Sequence, residues 1–551
     1  MKIEKIFNAI GFGLLALCIC LSLFRVITRG SEERKGNQIV IRLAHWQLEG
    51  GIRDAFQAVA DEYTKLHPNV KVEQMLVPER IYPNWATTQL VGGTAPDIIE
   101  LGKGAETGDR VARFFLPSSE VADEPNPYNK GTPLEGLPWR STFVDGMEGV
   151  YREDLADYYG IPTFLITVRL YYNRDLMREI TGEDKVPTTY DELRALCDKV
   201  VEFAHRPENL KRKIIPLAGS KYNAPMMMDR LLSSQTQTFE PMRNVLPVMA
   251  KSPEDASLAY LRGDWSLRSE PIQLGLELER DLGRYFPPGF SQLGREDATL
   301  YFVQERALMV ATGSWDASSI FMLADQTGFK VGAFQVPLPD KNHPRYGKNV
   351  KGIASEANNK STGAMAVYRG SKNRDVAVDF LRFLTSVRGN SLWSDISKWP
   401  PVITGVEPNE RTKPFMPISE GEIDGMTLTL IGGPTNQARL LTNNGGALMD
   451  PDGSVDSYVK KLEPDYGKAL TSDLLEASKN RLRSIRRQDG NIVASTYAKS
   501  MDPDNPRVAL KHDALWENQL SQELTNVHVA FGIEEAKAVK ATPPAPTTAA
   551  K

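Results

Sequence analysis

The stretch GGTAPDIIEL, residues 92–101, decides the fold. Gly92-Gly93 supplies a left-handed cap that ends a preceding helix, Pro96 cannot extend that helix, and Ala95, standing before a proline, is held extended. DIIEL, residues 97–101, therefore reads as a strand. Working outward, YPNWATTQLVGG (82–93) is a short helix that offers Tyr82, Trp85, Leu90 and Val91 to a core, and VKVEQMLVP (70–78) alternates as a strand. IRDAFQAVADEYTKLHP (52–68) puts Ile52, Phe56, Val59, Tyr63 and Leu66 on one helical face, with Pro68 closing the helix. QIVIRLAHW (38–46) is β-branched and apolar, a strand. The order β-α-β-α-β demands right-handed crossovers and a parallel sheet with helices on both faces.

That topology places the chemistry. Ligands of open α/β sheets bind outside the carboxyl ends of the strands, where strand order reverses. With the order 2-1-3, His45, Trp46 and Gln47 stand beside Glu100, Leu101, Gly102 and Lys103, while Asp97 lies at the opposite strand end as a turn former.

The 551 residues exceed what one hydrophobic core supports, so two or more lobes are expected. The 41% hydrophobic and 25% charged fractions are those of a soluble globular chain, and a net charge of -4 lacks the basic excess that nucleic-acid binding needs. Three cysteines, Cys18, Cys20 and Cys197, provide neither a disulfide framework nor a zinc site, and Cys197 falls on an apolar helical face as a core thiol. The run from Ile6 to Phe24, behind Lys2 and Lys5, is a secretion or anchoring segment: an uncleaved membrane anchor, a cleaved signal, or a lipid-anchored cysteine. Each places the body of the protein outside the membrane, in the periplasm or at the cell surface.

No dinucleotide fingerprint, phosphate-binding loop, zinc-protease motif or nucleophile elbow occurs, and the six histidines are scattered singly, so no catalytic residue, metal or cofactor is implied. Asp450, Asp452, Ser454 and Asp456 alternate as calcium ligands do, but a Ser454 helix cap explains them more simply, and the S-x-x-K spacing at Ser457 has no companion motif.

Six fragments carry a resemblance: IRLAHW (41–46), PDIIELG (96–102), IPTFLITVRLYYNRDLMREI (161–180), VPTTYDELRAL (186–196), YFVQERALMVATGSWD (301–316) and GAMAVYRGSKNRDVAVDFLRFLTS (363–386). Their order and spacing resemble the extracellular solute-binding proteins of ABC importers, in particular the maltose-binding-protein-like sugar binders, over residues 38–405 and more weakly to about 480. The resemblance implies an α/β, two-lobed periplasmic-binding-protein fold of type II. Each lobe is then a mostly parallel sheet flanked by helices, built from discontinuous segments and joined by a hinge near NNKSTGAM, 358–365. The implied division is an N-terminal segment (1–36), lobe one (37–150 plus 363–400), lobe two (151–362 plus 401–480), an additional helical segment (481–534) and a disordered tail (535–551). Two departures stand out: Glu100-Leu101-Gly102 replaces the aromatic or acidic residue usual after PDI, and 481–502 has no counterpart.

A sugar site needs aromatic plates for ring C-H faces and planar polar groups for hydroxyls. Trp46 with Gln47, Trp315 with Asp316 and Trp399 beside Lys398 meet that description, with Glu49, Glu100, Gly102 and Arg169 within reach of the same cleft. The resemblance assigns Trp315 to sugar stacking and Tyr172-Asn173 to a strand end and turn. Trp139, Trp265 and Trp393 read as core, and Tyr82 and Trp85 as helix packing. The expected function is a non-enzymatic receptor that closes on a sugar or oligosaccharide and presents it to importer permease subunits, as a monomer. A membrane-tethered solute sensor and a carbohydrate-active enzyme using two carboxylates are the alternatives.

Overall fold

The computed structural model describes residues 38–102, 108–243 and 253–541. The N-terminal segment 1–36, Lys103 and the last ten residues lie outside the described residues.

In the first lobe, β1 (Ile39–His45), β2 (Val70–Leu76), β3 (Ile98–Leu101) and β10 (Ala364–Val367) form one sheet in the order β10-β3-β1-β2. β1 runs parallel to both β2 and β3, with Ile41 opposite Val72 and Leu43 opposite Ile98; β10 closes the edge antiparallel. The 2-1-3 order on which the placement of the strand ends was conditional is the order observed. Helix α1 (Gly50–Leu66) buries Ile52, Phe56, Val59 and Tyr63 against this sheet, and α2 (Tyr82–Gly92) ends on Gly93 at φ 68°, the left-handed cap. Leu66 and Val91, expected on the core faces, are exposed, Val91 because its neighbour Leu90 takes the buried position in the last turn.

In the second lobe, β6 (Val168–Asn173) pairs antiparallel with β8 (Ala307–Gly313) and β9 (Val331–Phe334), while β7 (Ile215–Ala218) runs parallel to β8. Asn173 ends β6 and accepts hydrogen bonds from the amides of Asp175 and Leu176, which starts the following helix. Helix α3 (Tyr190–Ala204) opens on a Thr189–Glu192 capping box, and its Cys197 is fully buried.

The boundary between lobes differs from the expected one. The short hairpin β4 (Tyr151–Arg152) and β5 (Asp157–Tyr158), with Ile161, Phe164 and Leu165 after it, packs with the first lobe, as do Val402, Ile403 and Val406. The reason is backbone pairing: the Ile161 amide donates to Met365 and the Thr362 amide donates to Phe164, so chain leaving lobe one stays bonded to chain returning to it. Trp399, expected in the cleft, is 1% exposed, packed edge-on to Phe164 at 4.3 Å in the first-lobe core.

Beyond the two lobes the chain builds a helical arm. α7 (Val455–Met501) begins at Ser454, whose side chain accepts from the Ser457 amide at 3.0 Å. Tyr458, Val459, Leu462, Tyr466, Leu470 and Leu474 of α7 share a third core with Val529, Ile533 and Ala536 of α8 (Pro506–Ala541) and with the Pro253–Arg262 helix. The expected disordered tail therefore begins too early: residues 535–541 continue α8, held by Ala536 in that core. The helices between these elements that matter for the site are α4 (Arg295–Val303), α5 (Ala317–Thr327) and α6 (Val387–Ser397).

Candidate functional site

The C-terminal ends of β1 and β3 emerge side by side, as parallel pairing dictates, and the loops after them build one wall. Trp46 follows β1, half-buried, with its indole edge-on to Tyr82 at 4.9 Å; Trp85 lies beyond at 5.6 Å from Tyr82, so three aromatic rings run in succession. Tyr82 itself is buried, its hydroxyl donating to the carbonyls of Ala44 and Glu100, and this pins α2 to the ends of both strands. Gly102 explains how the indole fits. Its φ is 147°, and a Cβ there would stand 2.8 Å from the Trp46 ring. The Gln47 amide donates to Glu100 Oε1 at 3.0 Å.

His45 does not reach this wall. Its ring is fully buried against Phe56 and bonded to Gln74 Oε1 at 3.1 Å, and burial lowers its pKa to about 4, so it is neutral at ordinary pH.

The second lobe meets the first at the end of β8. Trp315, on the turn after Gly313, rests half-buried against the first-lobe core, and a Cβ at residue 313 would collide with its ring at 2.2 Å. Asp316 is buried, accepting from Thr312 Oγ1 at 2.5 Å and from Arg295 Nε at 3.2 Å. Arg295 then reaches across the lobes: its Nη2 lies 3.6 Å from Glu49 Oε1. Glu49 caps α1 with its carbonyl, which accepts from the amides of Ile52 and Arg53. Its Oε2 is buried with no hydrogen-bond partner among the described residues. Desolvation raises its pKa, opposed by its own backbone amide and by Arg295. Beside this cluster Gly51 and Ser318 bring the two lobes into contact, because a Cβ at Gly51 would stand only 2.3 Å from that of Ser318. An interlobe groove of about 430 Å³ opens at that contact, lined by Asp54, Phe321, Met322, Asp325 and Lys398 among others.

Arg169 is a correction. It was expected in the cleft, but its side chain is 1% exposed and fully engaged: Nη1 and Nη2 each donate to Glu356 at 2.8 Å, and Nε, Nη1 and Nη2 also donate to the carbonyls of Pro414, Val168 and Met416. Nothing is left for a solute. Arg295 is the residue that sequence reasoning missed. One signal was present: an arginine at the first position of a helix opposes the helix dipole, which calls for a partner elsewhere.

Half-buried indoles beside carboxylates and a guanidinium, at the meeting of two lobes, are the groups from which a solute-binding site can be built. The chain belongs to the bacterial extracellular solute-binding protein family, whose sequence pattern matches residues 58–416. The family is one of binding receptors rather than enzymes.

An uncharacterized ABC transporter extracellular-binding protein of Pyrococcus horikoshii is 21% identical over 296 residues, which are 52% of this chain and 58% of that protein; the chain thus spans little more than half of that relative. The multiple sugar-binding protein of Streptococcus mutans is 19% identical over 417 residues, 74% of this chain and 86% of that one. Among solved structures, the GacH receptor of Streptomyces glaucescens, described unliganded and with acarbose, is 16% identical with a TM-score of 0.50, covering 79% of this chain and 98% of its own. At this identity the structural likeness carries the fold alone.

Proposed function

We propose that this chain is the receptor of an ABC importer for a sugar or oligosaccharide, held outside the membrane by its N-terminal apolar run and handing solute to permease subunits. One observation carries the reading. Trp46, half-buried on the first lobe, neighbours the Gln47–Glu100 pair, and Trp315, half-buried on the second, neighbours Asp316, whose partner Arg295 reaches across the lobes to Glu49. Indoles stack on the apolar faces of pyranose rings, and carboxylates and guanidinium bond the hydroxyls around the rim. The names of the relatives, one of them a multiple sugar-binding protein, support the same class.

The long Glu49–Arg295 approach fits a clamp rather than a fixed strut. A hydroxyl donor reaching Glu49 Oε2 would satisfy the buried lone pair and draw the lobes together, so solute shifts the hinge toward the closed state by its differential affinity. A micromolar solute needs about 8 kcal/mol, within reach of two stacked rings and a few charge-assisted bonds.

Titration calorimetry against a panel of mono- and oligosaccharides tests this, with amino acids and dicarboxylates as counter-panel. Binding of at least one saccharide by the intact chain, weakened by Trp315→Ala, is the expected outcome. Binding confined to the counter-panel would overturn the sugar assignment.

A further inference from the structure

The arm carries apolar residues on its outer surface as well as in its seam, where Ile485, Ile492 and Leu515 are buried. α7 and α8 run antiparallel, and much of the seam between their distal halves is polar: Gln488 donates to Asn518 at 3.0 Å, Gln522 donates to Gln488 at 3.4 Å, and Arg481 donates to Asn526 at 3.0 Å. The near side of the arm is bonded to the first lobe through Arg507–Asp123, Lys511–Asp157 and Asn518–Glu153. The far side carries the apolar residues. On α8, Trp516, Leu520, Leu524, Val527 and Phe531 recur at steps of four, four, three and four, and all are exposed, Phe531 at 73%. On α7, Leu482, Val493, Tyr497 and Met501 are exposed along one face as well. A step of three or four keeps residues on one helical stripe, and such a stripe normally faces a partner helix. Contiguous apolar surface of this extent marks an interaction site.

The charges indicate which partner. Residues 478–488 of α7 hold Lys479, Arg481, Arg483, Arg486 and Arg487 with no acid, whereas residues 513–535 of α8 hold Asp513, Glu517, Glu523, Glu534 and Glu535 with no Lys or Arg. Arg481 is spent on Glu254 of the same copy, and the hairpin therefore presents a basic stretch of α7, with Lys479, Arg483, Arg486 and Arg487 at the surface, beside an acidic stretch of α8. A second copy, turned by a two-fold axis, lays basic α7 on acidic α8 twice over, the self-complementary arrangement of an isologous dimer. An anionic membrane surface would attract α7 and repel α8. The shared length of the two stripes is that of the shorter one on α8, about 23 Å at 1.5 Å per residue, and with a width of about 20 Å for two helices it offers roughly 450 Å² per copy. Two copies bury roughly 900 Å² in all, the size of a weak, transient interface, so the charge pairing is what selects the partner.

We infer that the C-terminal arms of two copies of this chain pack into an antiparallel four-helix bundle through the outer faces of α7 and α8, making the receptor a dimer in place of the monomer read from the sequence. The inference does not rest on the identity of the solute, and its test leaves the cleft untouched.

The intact chain, purified in detergent, is given a photo-crosslinking residue in place of Leu524. A covalent dimer whose crosslinked peptide comes from α7 or α8 of the second copy is the expected product. No dimer, or adducts on residues 1–37, on lipid or on another protein, would overturn the proposal. Two charge-reversed chains supply the second arm. One carries Arg483→Glu, Arg486→Glu and Arg487→Glu; the other carries Glu517→Lys, Glu523→Lys and Glu534→Lys. In sedimentation each alone should self-associate at least tenfold more weakly than the parent, and mixing the two should restore dimers. Unchanged self-association in each, or no recovery on mixing, would refute the pairing. All these positions are exposed helical surface, so folding, followed by circular dichroism, is retained.

Discussion

Arg169 meets Glu356 through two 2.8 Å contacts deep inside the protein, whereas Arg295 meets Glu49 at 3.6 Å between the lobes. The chemistry is the same, a guanidinium and a carboxylate, and the circumstances are opposite. Around Glu356 every oxygen is engaged, by Arg169, by Arg230 and by the Ile418 amide, and although burial alone would raise its pKa, these partners together lower it. Around Glu49 one oxygen has no hydrogen-bond partner among the described residues, and desolvation wins, raising the pKa. A saturated pair holds the framework; an unsaturated one is poised to accept something else. Satisfaction of hydrogen bonds, rather than charge or burial, separates the structural arginine from the one at the site.

The contrast can be broken most severely at Arg169. Replacement by Met leaves Glu356 buried beside a single remaining cation, and a loss of about 3 to 5 kcal/mol is expected in urea unfolding. The folded fraction should bind solute unchanged; a selective loss of affinity with stability intact would instead place Arg169 in the site. Gly102→Ala comes next: a left-handed φ and a Cβ pressed into the Trp46 ring should cost about 1 to 3 kcal/mol and shift the indole fluorescence. Trp315→Ala should weaken solute binding at least tenfold, about 1.4 kcal/mol, by calorimetry, with the far-ultraviolet dichroism retained.

The smallest effect sharpens the comparison through its sign. The pKa of Glu356 is lowered, so its stabilisation is present above the unfolded carboxylate value near 4.5 and is lost as pH falls through the lower folded value. The pKa of Glu49 is raised, so the folded state holds the proton more tightly and stability falls as pH rises from about 4.5 through the higher folded value. Melting temperatures measured from pH 4 to pH 8 should therefore show Glu356→Gln losing most at neutral pH. Glu49→Gln should gain slightly there, with both differences shrinking toward acid. Two shifts of the same sign would sink the distinction.

Much of the first lobe could be read along the chain. The apolar, β-branched run in 38–46, the alternation in 70–78, the helical face of Ile52, Phe56, Val59 and Tyr63, and the Gly93 cap are local patterns, and with the right-handed crossover rule they specify a parallel sheet. The β2-β1-β3 order that decides which strand ends meet was a condition of the sequence reading that the tertiary structure met. Trp46, Gln47, Glu100 and Gly102 follow from that order. Trp399 and Arg169 were misplaced because nothing local distinguishes a tryptophan beside a loop from one under Phe164, or an arginine at a cleft from one whose donors, all but that on Val168, are taken by residues 187 and more positions away. The partnership of Arg295 with Glu49 joins residues 246 positions apart and had no periodicity to announce it.

Periodicity, caps and turn chemistry in the sequence thus determined the strands and helices of the first lobe, since each depends on neighbours within a few turns of chain, while the solute-binding family was legible only as a resemblance of six fragments spread along the chain. Which arginine is spent and which is open, where lobe one takes back residues 151–165, and that the arm turns its leucines outward were decided only by tertiary structure. Hydrogen-bond saturation and exposure are properties of surroundings assembled from distant segments, and no single segment contains them.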